Sequence, residues 1–140
     1  MHAPPPFDPW LWCRTWQETW WAGIDPQGFG ARLRAQRLAR LIEVARRDSP
    51  FYRRRHPDAR QLADFAPVTK AELMQHFDDW ATDRRITRAA ADAALADPRR
   101  VADGWLDRYL LWTSSGTSGV PGTFVQDARS LAAYDAIVAL

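Results

Sequence analysis

The stretch YLLWTSSGTSGVPGTFV, residues 109–125, separates a helical sequence from a short C-terminal helix and itself predicts β-structure. Aromatic and aliphatic residues at 109–113 and the run at 123–125 are typical of two strands. Between them, residues 114–119 hold four hydroxyls and two glycines. Hydroxyls donate to anionic oxygens, and glycines permit positive φ and close approach of backbone amides to an anion. The stretch therefore predicts a β-hairpin whose loop binds phosphate.

A loop of this composition is more commonly an ordinary turn, so the order of its residues matters. Pro121 follows the glycines and stiffens the exit of the loop. The GxxxxGK[ST] pattern of a Walker loop is absent, and a strand rather than a helix follows. The phosphate interpretation thus needs support from elsewhere in the chain.

The rest of the sequence predicts helices. Asp8 caps a helix over about 10–21, a second spans 28–48, and Thr87 and Asp127 cap helices over about 88–96 and 128–140. A capping box, Thr69 to Glu72, starts a helix over 70–77, and a brief helical stretch covers 99–102. Residues 49–59 are expected to connect helices. The fold class is α+β: a mostly helical N-terminal segment followed by a β-hairpin and a helix.

Composition excludes several classes of function. The chain has 140 residues, with 46% hydrophobic and 26% charged, so it is long enough for one ordinary domain. A net charge of +2 does not indicate a nucleic-acid or membrane partner. One cysteine, Cys13, allows neither an intrachain disulfide nor a thiolate zinc cluster. With no signal peptide and no membrane-spanning run, a cytoplasmic location is expected.

The loop and two upstream segments resemble a known family. TSSGTSGVPG, residues 113–122, is similar to the signature loop of adenylate-forming enzymes, roughly [ST]-S-G-[ST]-[ST]-G-x-P-[KG]. Its continuation TFVQD, 123–127, resembles the phenylacetate-CoA ligase branch and its coenzyme F390 synthetase-like (CapK-like) members. SPFY at 49–52 and PVTKAEL at 67–73 resemble that branch's "SPFY" and "PxTxKxDL" segments. The resemblance covers about residues 28–127.

The resemblance implies a fold and a reaction. Such ligases bind ATP, Mg²⁺ and a carboxylic acid, release pyrophosphate and form an acyl adenylate; many then transfer the acyl group to coenzyme A, whereas F390 synthetases adenylylate a deazaflavin. Residues 1–27 would be a Pro/Trp-rich segment with one helix, and 28–140 the start of the AMP-binding large domain. The loop would close over the β and γ phosphates through Thr113, Ser114, Ser115, Gly116, Thr117, Ser118 and Gly119. It implies no catalytic residue and no metal ligand in this chain.

Two departures from the family pattern bear on function. Many members end this loop in lysine, whereas this chain has Gly122. The family's adenine pocket, ribose-binding carboxylate, metal-binding acid, hinge and C-terminal lysine lie downstream of the loop. The chain is therefore expected to be the N-terminal segment of such a ligase, dependent on a missing C-terminal portion and inactive alone.

Two other functions stay open. The chain could be a non-catalytic helical interaction or regulatory module that retains the loop as a relic. The arginines of residues 32–55 could bind RNA, although a solvated helix face is the simpler interpretation.

Three smaller features have simple structural interpretations. Trp12, Trp16 and Trp20 are spaced by four and predict a packing stripe on one helix face, with a membrane-interface helix as the lesser alternative. Cys13 is expected to be a small buried hydrophobe. The pair Asp78-Asp79 is expected to lie in a loop, because adjacent side chains point in different directions and do not make a metal site.

Overall fold

The chain is described from a computed structural model that covers residues 7–100, 103–114, 119 and 121–140. Within these residues, helices precede one hairpin and one helix follows it, so the α+β class is confirmed. The helices are α1 (Pro9–Ile24), α2 (Phe29–Asp48), α3 (Pro50–Arg55), α4 (Lys70–Gln75), α5 (Phe77–Trp80), α6 (Arg88–Leu95) and α7 (Ala128–Val138). The strands are β1 (Tyr109–Thr113) and β2 (Thr123–Asp127), and short 3-10 turns occupy Leu62–Asp64 and Pro98–Arg100.

The hairpin is antiparallel, with Tyr109 opposite Asp127 and Thr113 opposite Thr123. Alternate side chains point to opposite faces. One face carries Trp112 stacked on Phe124, with ring centroids 4.3 Å apart, and is exposed to solvent. The other face carries buried Tyr109 and Thr123 and rests on the helices. The hairpin is thus attached to the helical part of the chain through one face.

The buried core joins the hairpin to the middle helices. Phe77 from α5, Ile86, Ala91 from α6, and Trp105 and Tyr109 at the start of the hairpin form one cluster. Each of these side chains is at most 8% exposed, so together they exclude water from the centre of the fold. The cluster fixes the position of β1 and, through the pairing of the strands, that of β2.

The first and last helices pack against each other. α1 lies mainly on α7 and also contacts α2, where Glu18 pairs with Arg37 at 2.8 Å. Trp16 and Trp20 stack with centroids 6.4 Å apart, although Trp20 is still 43% exposed. No helix in the described part of the chain combines the length and apolar character needed to cross a bilayer.

Local capping signals were predicted well. The Asp8 carboxylate accepts from the amides of Trp10 and Leu11, both at 3.0 Å. Thr87 accepts from Ala90 at 3.2 Å and Asp127 from Ser130 at 2.8 Å. Each cap satisfies an amide that has no partner inside its own helix, and the three predicted helix starts are confirmed.

Residues 49–59 were wrongly predicted to be a plain connection. Pro50 ends α2 but also begins α3, since proline suits the first position of a helix, where its missing amide costs nothing. Ser49 caps α3 and is only 1% exposed, and its hydroxyl also donates to the carbonyl of Asp79 at 3.2 Å. The SPFY segment is therefore the start of a helix rather than a loop.

Four further sequence interpretations are corrected. Asp78 and Asp79 lie in α5 rather than in a loop, and they serve different partners: Asp78 accepts from the Arg88 amide, and Asp79 pairs with Arg54. Cys13 is exposed rather than buried. The first helix continues through Gly23 to Ile24. A helical stretch was predicted over 99–102. Residues 99 and 100 belong to a 3-10 turn, and residues 101–102 lie outside the described residues.

Acid should remove one tertiary contact of the hairpin. The Asp83 carboxylate accepts from the Arg85 side chain and amide and from the Tyr109 hydroxyl, the last at 2.8 Å. These bonds favour the ionised form and hold the pKa of Asp83 well below its usual range. A lowered folded pKa stabilises the fold fully above the unfolded pKa of about 3.9, and that stabilisation is lost as pH falls toward the folded value.

We therefore expect Asp83→Asn to lower the free energy of unfolding by about 1 kcal/mol at pH 7. The difference from the unmodified chain should shrink between pH 7 and pH 3, as measured by urea denaturation at both pH values. Asp58→Asn, an exposed aspartate, is the control and should change stability little at either pH. A difference for Asp83→Asn that is the same at pH 3 as at pH 7 would contradict the assignment.

Candidate phosphate-binding loop

The base of the loop is closed by two hydrogen bonds between Ser114 and Gly122. The Ser114 amide donates to the Gly122 carbonyl, and the Gly122 amide donates to Ser114 Oγ, both at 2.9 Å. The first of these bonds extends the backbone ladder by one step beyond the Thr113–Thr123 pair, whereas the second joins the Gly122 backbone to a side chain. Ser114 and Gly122, the two ends of the candidate segment, are therefore held together.

The predicted site residues divide into two groups. Thr113 is exposed at the end of β1, Ser114 is half-buried, and Gly119 is exposed. Ser115, Gly116, Thr117 and Ser118, which carry most of the predicted donors, lie outside the described residues. Ser114 Oγ accepts from the Gly122 amide, which leaves the hydroxyl proton available to donate, as the prediction for this residue requires.

Gly119 has the backbone conformation that the glycines were predicted to supply. Its φ is +93°, a region that residues with a Cβ rarely adopt, and no other atom lies within 4 Å of the place a Cβ would occupy. Backbone geometry rather than lack of space therefore favours glycine here. A positive φ reverses the direction of the chain and allows successive amides to face one ligand.

At position 122, by contrast, glycine is favoured because neighbouring side chains pack closely against the backbone. A Cβ at this position would lie 3.0 Å from Phe124 Cε2 and 3.3 Å from Lys70 Cδ. The aliphatic stem of Lys70 is thus packed beside the base of the loop. Any larger side chain at 122, including the lysine common in adenylate-forming enzymes, would have to displace one of these neighbours.

Lys70 is a candidate functional residue that sequence reasoning missed. It is the only lysine in the chain and opens α4, directly after the Thr69 cap. A lysine ammonium is a compact charge suited to phosphate. Lys70 belongs to the resembling segment PVTKAEL, but no local sequence pattern indicates that residue 70 lies against residue 122.

Met74 makes a second contact between α4 and the hairpin. Its sulfur accepts from the Thr123 amide at 3.4 Å and from Arg88 Nη1 at 3.8 Å. Residues four apart lie on the same side of a helix, so Lys70 and Met74 present one face of α4 to the start of β2. Through these contacts, this face of α4 positions the base of the loop relative to the helices.

The predicted capping box at the start of α4 forms only in part. Thr69 Oγ accepts from the Glu72 amide at 3.1 Å, as expected. The Glu72 carboxylate, predicted to reach back to the Thr69 amide, pairs instead with Arg55 of α3. An ion pair with a guanidinium is a stronger interaction for a carboxylate than a bond to a neutral amide, and it ties α3 to α4.

Metal ligands do not converge in this region. Within residues 7–100, 103–114, 119 and 121–140, no three His, Cys, Asp or Glu side chains come close enough together to hold an ion.

Comparison with known proteins gave no match: no family model, no curated protein and no solved structure is significantly similar to this chain.

Proposed function

We propose that residues 113–122 bind the β and γ phosphates of ATP. We propose further that the chain is the N-terminal part of an adenylate-forming ligase of the phenylacetate-CoA ligase type. The observation that carries the proposal is the hairpin loop itself: hydroxyl-rich, fixed at Ser114–Gly122, turned by a left-handed Gly119 and flanked by Lys70. The proposal that the chain belongs to the large domain of these enzymes is supported by the three motifs that resemble the family.

The chemical role of the loop is electrostatic. Negative charge builds on pyrophosphate as it leaves the α phosphate, and fixed donors aimed at that charge lower the barrier. Hydroxyls and amides of the loop supply the donors, and Lys70 supplies a positive charge where the family's loop lysine is replaced by Gly122. Mg²⁺ bound to ATP would neutralise further charge. The adenine pocket and the site for the carboxylic acid are proposed to lie outside these 140 residues, as is that of coenzyme A or another acceptor.

A test with this chain uses two glycine substitutions. Gly119→Ala forces a Cβ into φ +93°, whereas Gly23→Ala places one in open space within α1. We expect Gly119→Ala to weaken binding of inorganic tripolyphosphate and of Mg-ATP by about fivefold or more, because the loop would have to change shape. Gly23→Ala should leave both affinities unchanged and stabilise the helix slightly.

Isothermal titration calorimetry at low and moderate salt measures both affinities. Unchanged tripolyphosphate binding by the Gly119 variant, or no binding by either protein, would count against a phosphate site in this loop. Retention of single-stranded RNA with a steep salt dependence would instead support a role for the arginines of 32–55.

A non-catalytic module is the second candidate, and one observation favours it. α1 packs on α7, so the two ends of the described fold cover one another without help from another domain. Such a module would melt cooperatively as a monomer, whereas exposed hairpin edges and tryptophans in a ligase fragment favour aggregation. Sedimentation and thermal unfolding of the chain separate the two candidates.

A further inference from the structure

A cavity of about 440 Å³ lies between α2, α5, the hairpin and the start of α7. Its volume is in the range that holds small molecules. Among its lining residues are Tyr109, Val125 and Asp127, at the end of the hairpin opposite the loop. Thr113 lies four positions after Tyr109 in β1, which places the cavity about 14 Å from the loop base. It is therefore a different site from the proposed phosphate loop.

The inner wall of the cavity is aromatic and aliphatic. Phe77, Trp80 and Tyr109 contribute aromatic surface, and Ile86 contributes aliphatic surface. Phe77, Ile86 and Tyr109 belong to the buried core, so this wall is fixed in place. Trp80 packs edge-on against Phe77, with ring centroids 6.1 Å apart. A flat apolar body would find rigid ring surface on several sides.

Charged groups line the same cavity. Arg40 comes from α2, Arg108 from the turn before β1, and Asp127 from the end of β2, so their formal charges sum to +1. One oxygen of Asp127 already accepts from the amide and the hydroxyl of Ser130, at 2.8 and 2.9 Å. Within the part of the chain that the structure describes, Arg40 has no carboxylate partner. A ligand with one negative charge would neutralise the lining.

The backbone that carries Arg108 is strained. Leu106 and Asp107 have φ of 51° and 57°, in the left-handed region that side chains with a Cβ disfavour. Bonds between Trp105 and Tyr109, at 2.7 and 2.9 Å, close this turn. Arg108 then lies over the Tyr109 ring, with its guanidinium carbon 5.7 Å from the centroid. Such strain persists where surrounding structure enforces it, and it concentrates at ligand sites.

We propose that this cavity binds an organic monoanion: a carboxylate or sulfonate carried on a flat apolar body. The anionic group meets the guanidinium groups of Arg40 and Arg108, and the apolar body lies against Phe77, Trp80 and Tyr109. The free oxygen of Asp127 accepts from a hydroxyl or amide of the ligand and selects against ligands with two negative charges. This inference does not depend on the ATP proposal, because the two sites share no residue.

Binding of 2-naphthoate to the 140-residue chain tests the proposal, with neutral 2-naphthamide as the matched ligand. We expect saturable 1:1 binding of naphthoate by calorimetry and binding of naphthamide at least tenfold weaker. Arg40→Gln and Arg108→Gln should each weaken naphthoate binding by about fivefold while leaving naphthamide unchanged. Ala81→Leu, which fills the cavity without changing charge, should abolish binding of both ligands.

Arg32→Gln is the control for net charge, since it removes the same charge from α2 eight residues before Arg40, outside the lining of the cavity. It should leave naphthoate affinity within twofold of the original, and circular dichroism confirms that each variant is folded. Equal affinity for naphthoate and naphthamide, unsaturable binding, or an effect of Arg32→Gln as large as that of Arg40→Gln would each overturn the proposal. Because tripolyphosphate binding is measured separately, failure here leaves the phosphate test intact.

Discussion

Phe77→Ala is expected to destabilise the chain by about 4 kcal/mol, the largest effect of any single truncation considered. Phe77 is 3% exposed at the centre of the core cluster and contacts both Trp80 and Arg88, whose guanidinium lies 6.0 Å from its ring centroid. Removing the ring loses its burial and leaves a void beside the adjoining cavity. Domains of this size are commonly stable by only about 5–15 kcal/mol, so a large part of the total would be lost.

Urea denaturation followed by far-ultraviolet circular dichroism measures the loss. Phe7→Ala is the matched control, because it removes the same ring from a position that is 63% exposed, and it should change stability by less than about 0.5 kcal/mol. Phe77→Leu, which keeps most of the volume, should fall between the two. Comparable losses for Phe77→Ala and Phe7→Ala would show that the cluster around Phe77 is not the stabilising core.

Thr117→Ala has the largest expected effect on function. If the loop holds the departing pyrophosphate, losing one donor should slow adenylation by about 100-fold, with little change in the affinity for the carboxylic acid. The measurement is ATP–pyrophosphate exchange by the protein encoded by the reading frame extended beyond codon 140. Thr117→Ser restores a hydroxyl and should recover most of the rate.

Several outcomes would contradict that prediction. A reading frame without adenine-pocket and hinge motifs after codon 140 would argue against the ligase. Equal losses in adenylation and in acid binding would argue against a phosphate role for the loop. Thr19→Ala removes a hydroxyl that donates to the Thr15 carbonyl within α1, and it should leave exchange unchanged. Exchange by the 140-residue chain alone would contradict its proposed dependence on other parts of the enzyme.

Features determined by neighbouring residues were the ones the sequence predicted best. The caps at Asp8, Thr87 and Asp127 depend on side chains two or three residues from the amides they satisfy. The hairpin was predicted because its strand and loop residues are contiguous. α3 was missed because Pro50 was interpreted only as the end of one helix, although proline is equally suited to begin the next.

Features that depend on distant residues were missed. Lys70 reaches the loop because α4 packs under residue 122, a contact between segments about 50 residues apart. The cavity is assembled from residues 40, 44, 77, 80–82, 86, 108–109, 125, 127 and 130, which share no local pattern. The Glu72 carboxylate was predicted to bond to the nearby Thr69 amide, but it pairs with Arg55, which only tertiary packing brings near. Functional residues that only tertiary packing brings together cannot be identified from the sequence alone, because the fold is needed to show that they are neighbours.

The pairing of α1 with α7 has a kinetic consequence. Its two helices are separated by more than 100 residues of chain, so bringing them together closes a long loop. Closing a long loop costs conformational entropy before any contact is gained. The cluster around Phe77 draws on segments much closer in sequence and can assemble first. We therefore expect the two outer helices to dock late in folding.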